Sequence, residues 1–405
     1  MAEPAAANAG KGVLDGVTVL DFTHILSGPY CTMILGDMGA TVIKVERLTG
    51  DDTRYSRLRL NDFSMQFGIV NRNKQSLAIN LASPEGRDAI HRLAANSDVI
   101  VENFRPGTMD KFGLGYDEVA VGNPRVVYCS ISGFGADSPE RDRGGFDIIA
   151  QGMSGLLSVT GSPEFGVAKI GVPVADLTSG LYSVIAIVGA LFRRFTTGRG
   201  EYIDVSLLDS AMALMVWEAA QLWSGGPIPG PMGTAHRNRT PYQAFTASDG
   251  DFVVGGGNES TWAALCRAMH REDLIADPRY KTNWDRLDHE KELIDELSAE
   301  FKKETVQHWV AALTAEGCPV GPVLNSAQAF DSEHAKLRNL KMESENPNGG
   351  SLYTIGFPYQ TREAPPRVYL RPPTLGEHTR RVLADVAGLS PTEIDALVDK
   401  GIVKG

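Results

Sequence analysis

Cysteine is scarce in this chain of 405 residues, and Cys31, Cys129, Cys266 and Cys318 stand far apart with no CxxC pair. That spacing excludes a disulfide framework and a thiolate zinc site, and it fits a reducing compartment. The eight histidines form no HExxH or comparable pair, so metal catalysis lacks its ligands. Positive charge is in deficit too. With 39 Lys and Arg against 50 Asp and Glu, the net charge is -11, which argues against a nucleic-acid footprint. No apolar run reaches the length of a membrane span, and the longest, residues 181–192, reads as a buried helix. The opening MAEPAAANAGKG has no apolar signal core. A cytoplasmic protein without membrane association is therefore expected. The GxGxxG fingerprint is missing as well: the first loop reads THILSGP, which speaks against a nicotinamide dinucleotide.

What is present is ordinary globular composition, 42% hydrophobic and 22% charged, in a chain long enough for one large domain and a smaller one. Residues 17–22 (VTVLDF), 41–46 (TVIKVE), 76–80, 98–102 and 126–130 read as strands. A helix at 29–38 and another opened by Ser83-Pro84-Glu85 lie between them. This alternation predicts βαβ units in a Rossmann-like, doubly wound parallel sheet. Ligands then belong at the loops 23–28, 46–54, 103–107 and 132–143. The Gly/Pro cluster at 224–233 marks a boundary. Beyond it, strands at 242–245 and 251–254 with helices at 262–269, 290–302 and 306–315 predict a small α+β domain. The expected division is 1–225 for the large domain, 226–330 for the small one, and 331–405 returning to the large domain with a terminal helix at 391–399.

Asp176 sits where a short extended segment breaks at Pro173 and enters a long apolar helix. It reads either as the N-cap of a helix from about Thr178 or as a carboxylate nucleophile aimed from a strand-to-helix junction. Gly255, Gly256 and Gly257 follow a strand and read either as a flexible turn or as bare amides for an oxyanion. Arg47, Arg54, Arg72 and Lys74 near the strand ends, with Arg105 and Lys111 farther on, suit phosphates of an anionic ligand, although most such residues are merely solvated. His236, Arg237 and Arg239 form a basic loop that either grips a carboxylate or only faces water. His24 and the segment 145–147 (GFD) pair with no serine or cysteine nucleophile, so His24 reads as a hydrogen-bonded loop residue.

Residues 14–46, 71–81 (NRNKQSLAINL), 101–119, 128–135 (YCSISGFG) and 196–210, with Asp176, the glycine loop and 372–379 (PPTLGEHT), carry a further signal. Together they resemble the class III (family III) CoA-transferases, such as formyl-CoA transferase and carnitine CoA-transferase, over nearly the whole chain. The resemblance implies an interlaced homodimer that takes coenzyme A thioesters as substrate and binds no permanent cofactor. It makes Asp176 the nucleophile, forming a mixed anhydride and then an aspartyl-CoA thioester, with Gly256 and Gly257 stabilising oxyanions. It assigns CoA contacts to Ile25, Ser27, Arg47, Arg72, Asn103, Phe104 and Lys111. Leu26, His236, Arg237, Arg239 and Gly255 fall on the substrate side. Leu26 replaces the glutamine of formyl-CoA transferase, which argues against oxalate and formate. Phe146 replaces the histidine base of the related α-methylacyl-CoA racemases, which disfavours racemisation. The segments 233–245 and 255–262 look closest to members that use succinyl-CoA with C4 to C5 dicarboxylates such as glutarate. The rival readings are an isomerase, by racemisation or intramolecular CoA shift, and a non-catalytic acyl-CoA binder.

Overall fold

A computed structural model describes residues 12–405; residues 1–11, the start of the expected large domain, lie outside it. The described chain forms two compact units. The larger comprises residues 12–156, 170–219 and 336–405, and the smaller comprises 157–169 and 220–335. The smaller unit thus takes a piece of chain that the sequence reading kept in the first domain. The physical reason is a tight hairpin at 161–167, whose Gly161 carbonyl accepts a hydrogen bond from the Gly233 amide at 2.6 Å.

In the larger unit the elements that position the site are β1 (Thr18–Asp21), α1 (Ser27–Asp37), β2 (Thr41–Glu46), β3 (Lys74–Ile79) and α2 (Pro84–Ala95). They continue with β4 (Val99–Glu102), β5 (Val127–Ser132), α3 (Asp147–Met153), α4 (Val174–Thr197) and β6 (Glu201–Ser206). A last short strand, β7 (Val403–Lys404), completes the sheet. The sheet order is β6-β5-β4-β1-β2-β3-β7, parallel throughout except for the antiparallel β7. That last strand was not foreseen, because two residues carry no periodicity.

The strands are buried on both faces, as a parallel sheet requires. Val19, Val42 and Val99 join one core with residues of α1 and α4, while Leu20, Ile43 and Ile100 join another with α2 and the C-terminal helices. The expected doubly wound arrangement is therefore present. Strand order reverses between β1 and β4, and the crevice beyond their carboxyl ends is where such sheets hold ligands.

α4 is long and apolar enough by length and composition to cross a membrane. One face is core: Ala175, Ser179, Val184, Ile187 and Leu191 are buried against α1 and the sheet. The sequence reading of a buried helix holds for that face only. Leu181, Ile185, Phe192 and Phe195 are exposed on the chain taken alone, the last at 86%.

The smaller unit pairs strands Tyr242–Thr246, Asp251–Gly255 and Val320–Pro322 in an antiparallel sheet. Helices Glu259–Ala268, Glu290–Phe301 and Val306–Ala315 share its core, built on Phe252, Trp262, Phe301 and Trp309.

Candidate active site

The first βα loop is held by buried charge. Asp21, at the end of β1, accepts from Lys74 Nζ at 3.0 Å, Thr32 Oγ1 at 2.7 Å and Thr23 Oγ1 at 2.5 Å. Burial works against its ionisation, but Lys74, Lys44 and the hydroxyls of Thr23 and Thr32 together outweigh burial and hold its carboxyl below the usual range. Lys44 Nζ in turn donates to the Thr23 carbonyl at 2.8 Å and pairs with Asp51 at 3.1 Å. Asp51 accepts from the Ile25 amide at 3.3 Å. Ile25 has φ +69°, a left-handed conformation that a β-branched residue adopts only under constraint. Across the crevice, the Asn103 side chain accepts from the His24 amide and donates to the His24 carbonyl, both at 2.9 Å. Asn103 therefore ties the loop after β4 to the loop after β1.

These loops bound two adjoining cavities. The first, about 700 Å³, lies between β1, β2 and β3 and is lined by Arg47, Leu48, Ile79, Leu81, Phe104 and Phe112 among others. The second, about 390 Å³, contains Ile25, Leu26, Ser27, Asn103, Phe146 and Asp176. His24, Phe104 and Thr108 line both. His24 packs at a tilt against Phe104 with ring centroids 5.3 Å apart, and its buried Nδ1 has no hydrogen-bond partner among the described residues. Burial holds this imidazole below its usual pKa, which favours its neutral form.

Asp176 is the third residue of α4, whose N-cap is Pro173. It is neither an N-cap nor at a strand end, because the chain from 168 to 173 forms no strand and the helix starts earlier than Thr178. The cap-like role belongs to Asp147, at the start of α3. Its carboxylate accepts from the Ala175 amide at 2.8 Å and from Gln151 Nε2 at 2.6 Å. Gln151 Oε1 then accepts from the Ile170 amide at 2.9 Å. Asp147 and Gln151 thus fix the approach to α4 and with it the Asp176 backbone. Gly180 lets α4 lie close to the loop, since a Cβ there would come within 2.7 Å of the Ser27 carbonyl.

Burial, then the nearby charge of Asp147, raises the Asp176 carboxyl from 3.8 to about 6. A raised pKa means the native state keeps the proton up to about pH 6, and the carboxylate is the dominant form above it. If Asp176 reacts as the anion, kcat/KM falls about tenfold per pH unit below 6. A pH–rate profile whose acid limb sits near 4, the unperturbed carboxyl value, would contradict that assignment.

The other expected contacts divide. Ile25, Leu26, Ser27, Asn103 and Phe104 come together with Asp176, and Arg47 lines the first cavity. Arg47 is exposed and bonded to Asp52 and, at 2.9 Å, to the Gly50 carbonyl. Lys111 lies on the 3-10 turn Asp110–Phe112 and lines neither cavity. Arg72 is a correction: it is buried and spent on Asp37, at 2.9 and 2.6 Å, and on Thr354 at 2.7 Å. Its guanidinium has no face left for a phosphate. Lys74 and Arg54 are committed in the same way, to Asp21 and Glu46.

Gly255, Gly256 and Gly257 belong to the smaller unit, as do His236, Arg237 and Arg239. The Gly255 amide is used, donating to the Pro319 carbonyl at 2.8 Å. Gly256 and Gly257 amides donate to no group among the described residues. A Cβ on Gly257 would meet the Arg239 Cβ at 2.8 Å, so close packing demands glycine there. Arg237 is bonded to the Gly230 carbonyl, and His236 packs edge-on against Tyr242.

Sequence reasoning missed Asp147 and Gln151 as positioning residues, and Arg141 and Arg143 as walls of the Asp176 cavity. Both arginines lie in the loop 132–143, one of the expected ligand loops.

The model of CoA-transferase family III matches residues 14–379. The succinyl-CoA:glutarate CoA-transferase of Mus musculus is 39% identical over 398 residues, 96% of this chain and 90% of the relative. The succinyl-CoA:mesaconate CoA-transferase of Haloarcula marismortui is 36% identical over 388 residues, 93% of this chain and 97% of the relative. The crystal structure of a CAIB/BAIF family protein from Brucella suis has a TM-score of 0.83 at 36% identity, covering 93% of this chain and 100% of that one.

Proposed function

Because the chain belongs to CoA-transferase family III and is a CoA-transferase, we propose that it moves CoA from succinyl-CoA to a C4 to C5 dicarboxylate, with Asp176 as nucleophile. The observation that carries the mechanism is the Asp176 carboxylate, lining a cavity that adjoins a second one across His24 and Phe104.

The chemistry balances without an added proton or electron. The Asp176 carboxylate attacks the thioester carbonyl, the C–S bond breaks, and CoA thiolate leaves a mixed anhydride behind. The thiolate then attacks the aspartyl carbonyl and expels the donor acid, giving an aspartyl-CoA thioester. The acceptor carboxylate attacks that thioester, again releasing thiolate and forming a second anhydride. Thiolate attack on the acceptor's acyl carbon restores the Asp176 carboxylate and yields the new acyl-CoA. Each covalent step splits one hard transfer into easier ones.

Long CoA thioesters suit the pair of cavities: the first, with Arg47 at its rim, for the nucleotide end, and the second for the acyl end. The amides of Gly256 and Gly257 are the proposed oxyanion donors. The dicarboxylate preference is supported by what the two relatives are named for, succinyl-CoA with glutarate and with mesaconate. A panel of free acids offered with succinyl-CoA and followed by mass spectrometry tests it. Glutarate and other C4 to C5 diacids are expected to be converted at least tenfold better than butyrate, valerate or oxalate, and equal rates for monoacids would overturn the proposal. The same panel with labelled donor separates transfer from an intramolecular shift, because only transfer scrambles label between pools. Racemisation is further disfavoured by Phe146, exposed in the cavity where a histidine base would be needed.

A homodimer remains part of the reading, as does a cytoplasmic location. The exposed apolar face of α4, with Trp217 at 76% and Trp223 at 84% exposure farther along the chain, supplies surface that wants cover. Sedimentation equilibrium is expected to give twice the 43.7 kDa chain mass, and a monomer at micromolar concentration would refute the dimer.

A further inference from the structure

Two arginines face the Asp176 cavity without an ion-pair partner among the described residues. Arg105, in the loop after β4, and Arg141, in the loop after β5, both line it, and both are exposed. Neither guanidinium has an ion-pair or hydrogen-bond partner among the described residues. The other arginine of this cavity, Arg143, is paired with Glu140 at 2.7 Å. Arg47, Arg54 and Arg72 are also engaged by carboxylates.

The same pair also lines a third cavity of about 260 Å³ whose other walls carry Glu102, Asp110 and Asp117. Arg105 and Arg141 are therefore a partition, with a cavity containing a reactive carboxylate on one side and an acidic wall on the other. An anion that entered the Asp176 cavity would be attracted as far as the arginines and repelled from going deeper.

We propose that Arg105 and Arg141 form the subsite for the second, non-reacting carboxylate of a dicarboxylic acyl group. The inference rests on the dicarboxylate reading above and gives it an address. When one carboxyl of a diacid becomes a thioester it loses its charge, but the other keeps its charge and is partly desolvated in the cavity. A guanidinium matches that group bidentately, and a monoacid leaves the arginines without it. This places distal-carboxylate recognition in the larger unit, in preference to the basic loop at Arg237 and Arg239, where Arg237 already serves the Gly230 carbonyl.

The test is binding in the Asp176→Asn background with no acceptor acid present, so that transfer cannot be completed whichever residue is the nucleophile. Calorimetry would compare glutaryl-CoA with butyryl-CoA, which differ in the distal carboxylate. Glutaryl-CoA is expected to bind more tightly, and Arg105→Ala or Arg141→Ala to remove at least tenfold of that advantage, with Arg141→Lys retaining part of it. The affinity for butyryl-CoA should change less than threefold, which also shows that the variants are folded. A preference for glutaryl-CoA that survives in the double variant would overturn the proposal. So would equal weakening of both thioesters, which would place the arginines on CoA itself, or loss of the preference in Arg237→Ala or Arg239→Ala instead. Failure of the nucleophile would leave these affinities intact and appear only in turnover of the unmodified enzyme.

Discussion

Asp176→Asn is expected to lower kcat/KM by at least about 10⁴-fold, because an amide cannot form the anhydride and no other carboxylate among the described residues lines that cavity. Asp147, the nearest candidate, is already accepting hydrogen bonds from the Ala175 amide and Gln151. The same substitution should stabilise the fold at alkaline pH. The native carboxyl titrates near 6, above the ordinary 3.8, so the folded protein binds that proton more tightly than the unfolded chain does. The cost of ionising it in place grows as pH rises from about 4 to 6 and is complete above 6. It amounts to on the order of 1–3 kcal/mol after allowing for partial exposure. Asp176→Asn removes that cost, so Tm should rise at pH 8 and change little at pH 4. A Tm gain of equal size at both pH values would mean that the carboxyl is not strained by its surroundings.

The second large effect concerns the buried pair beneath the first loop. Lys74→Met is expected to cost about 3–5 kcal/mol, because it strands Asp21, fully buried, without its closest counter-charge. Lys44 cannot fully compensate, since it is engaged by Asp51 and the Thr23 carbonyl. The loss should appear as lower urea resistance, with CoA binding weakened as loop 23–27 loses its anchor. Adding Asp21→Asn removes the orphaned charge and should recover most of the stability. Single and double variants of equal stability would show that the pair is not what holds the loop.

Much of the larger unit was legible because its signals are local. Strand, turn and Pro-led helix starts fall within a residue or two of expectation, as at Ser83, whose hydroxyl caps α2. Pro391–Asp399 matches to the residue, as does Val306–Ala315 in the smaller unit. What could not be read was pairing across the fold. Arg72 and Arg47 look alike in sequence, but one faces Asp37 in the interior and the other the cavity rim, a difference made by partners far apart in the chain. Asp176 was singled out for the right cavity through the wrong local geometry: the helix begins at Val174, capped from outside by Asp147, 28 residues before the Ala175 amide it accepts from. Arg105 and Arg141 were invisible as a pair, because only the sheet brings the loops after β4 and β5 together.

The most direct measurement is to quench enzyme turning over succinyl-CoA with hydroxylamine and map the peptide that contains Asp176 by mass spectrometry. An acylated aspartate should be captured there as a hydroxamate, formed only when the thioester is present. An unmodified Asp176 peptide from enzyme that is transferring CoA at full rate would contradict covalent catalysis by this residue.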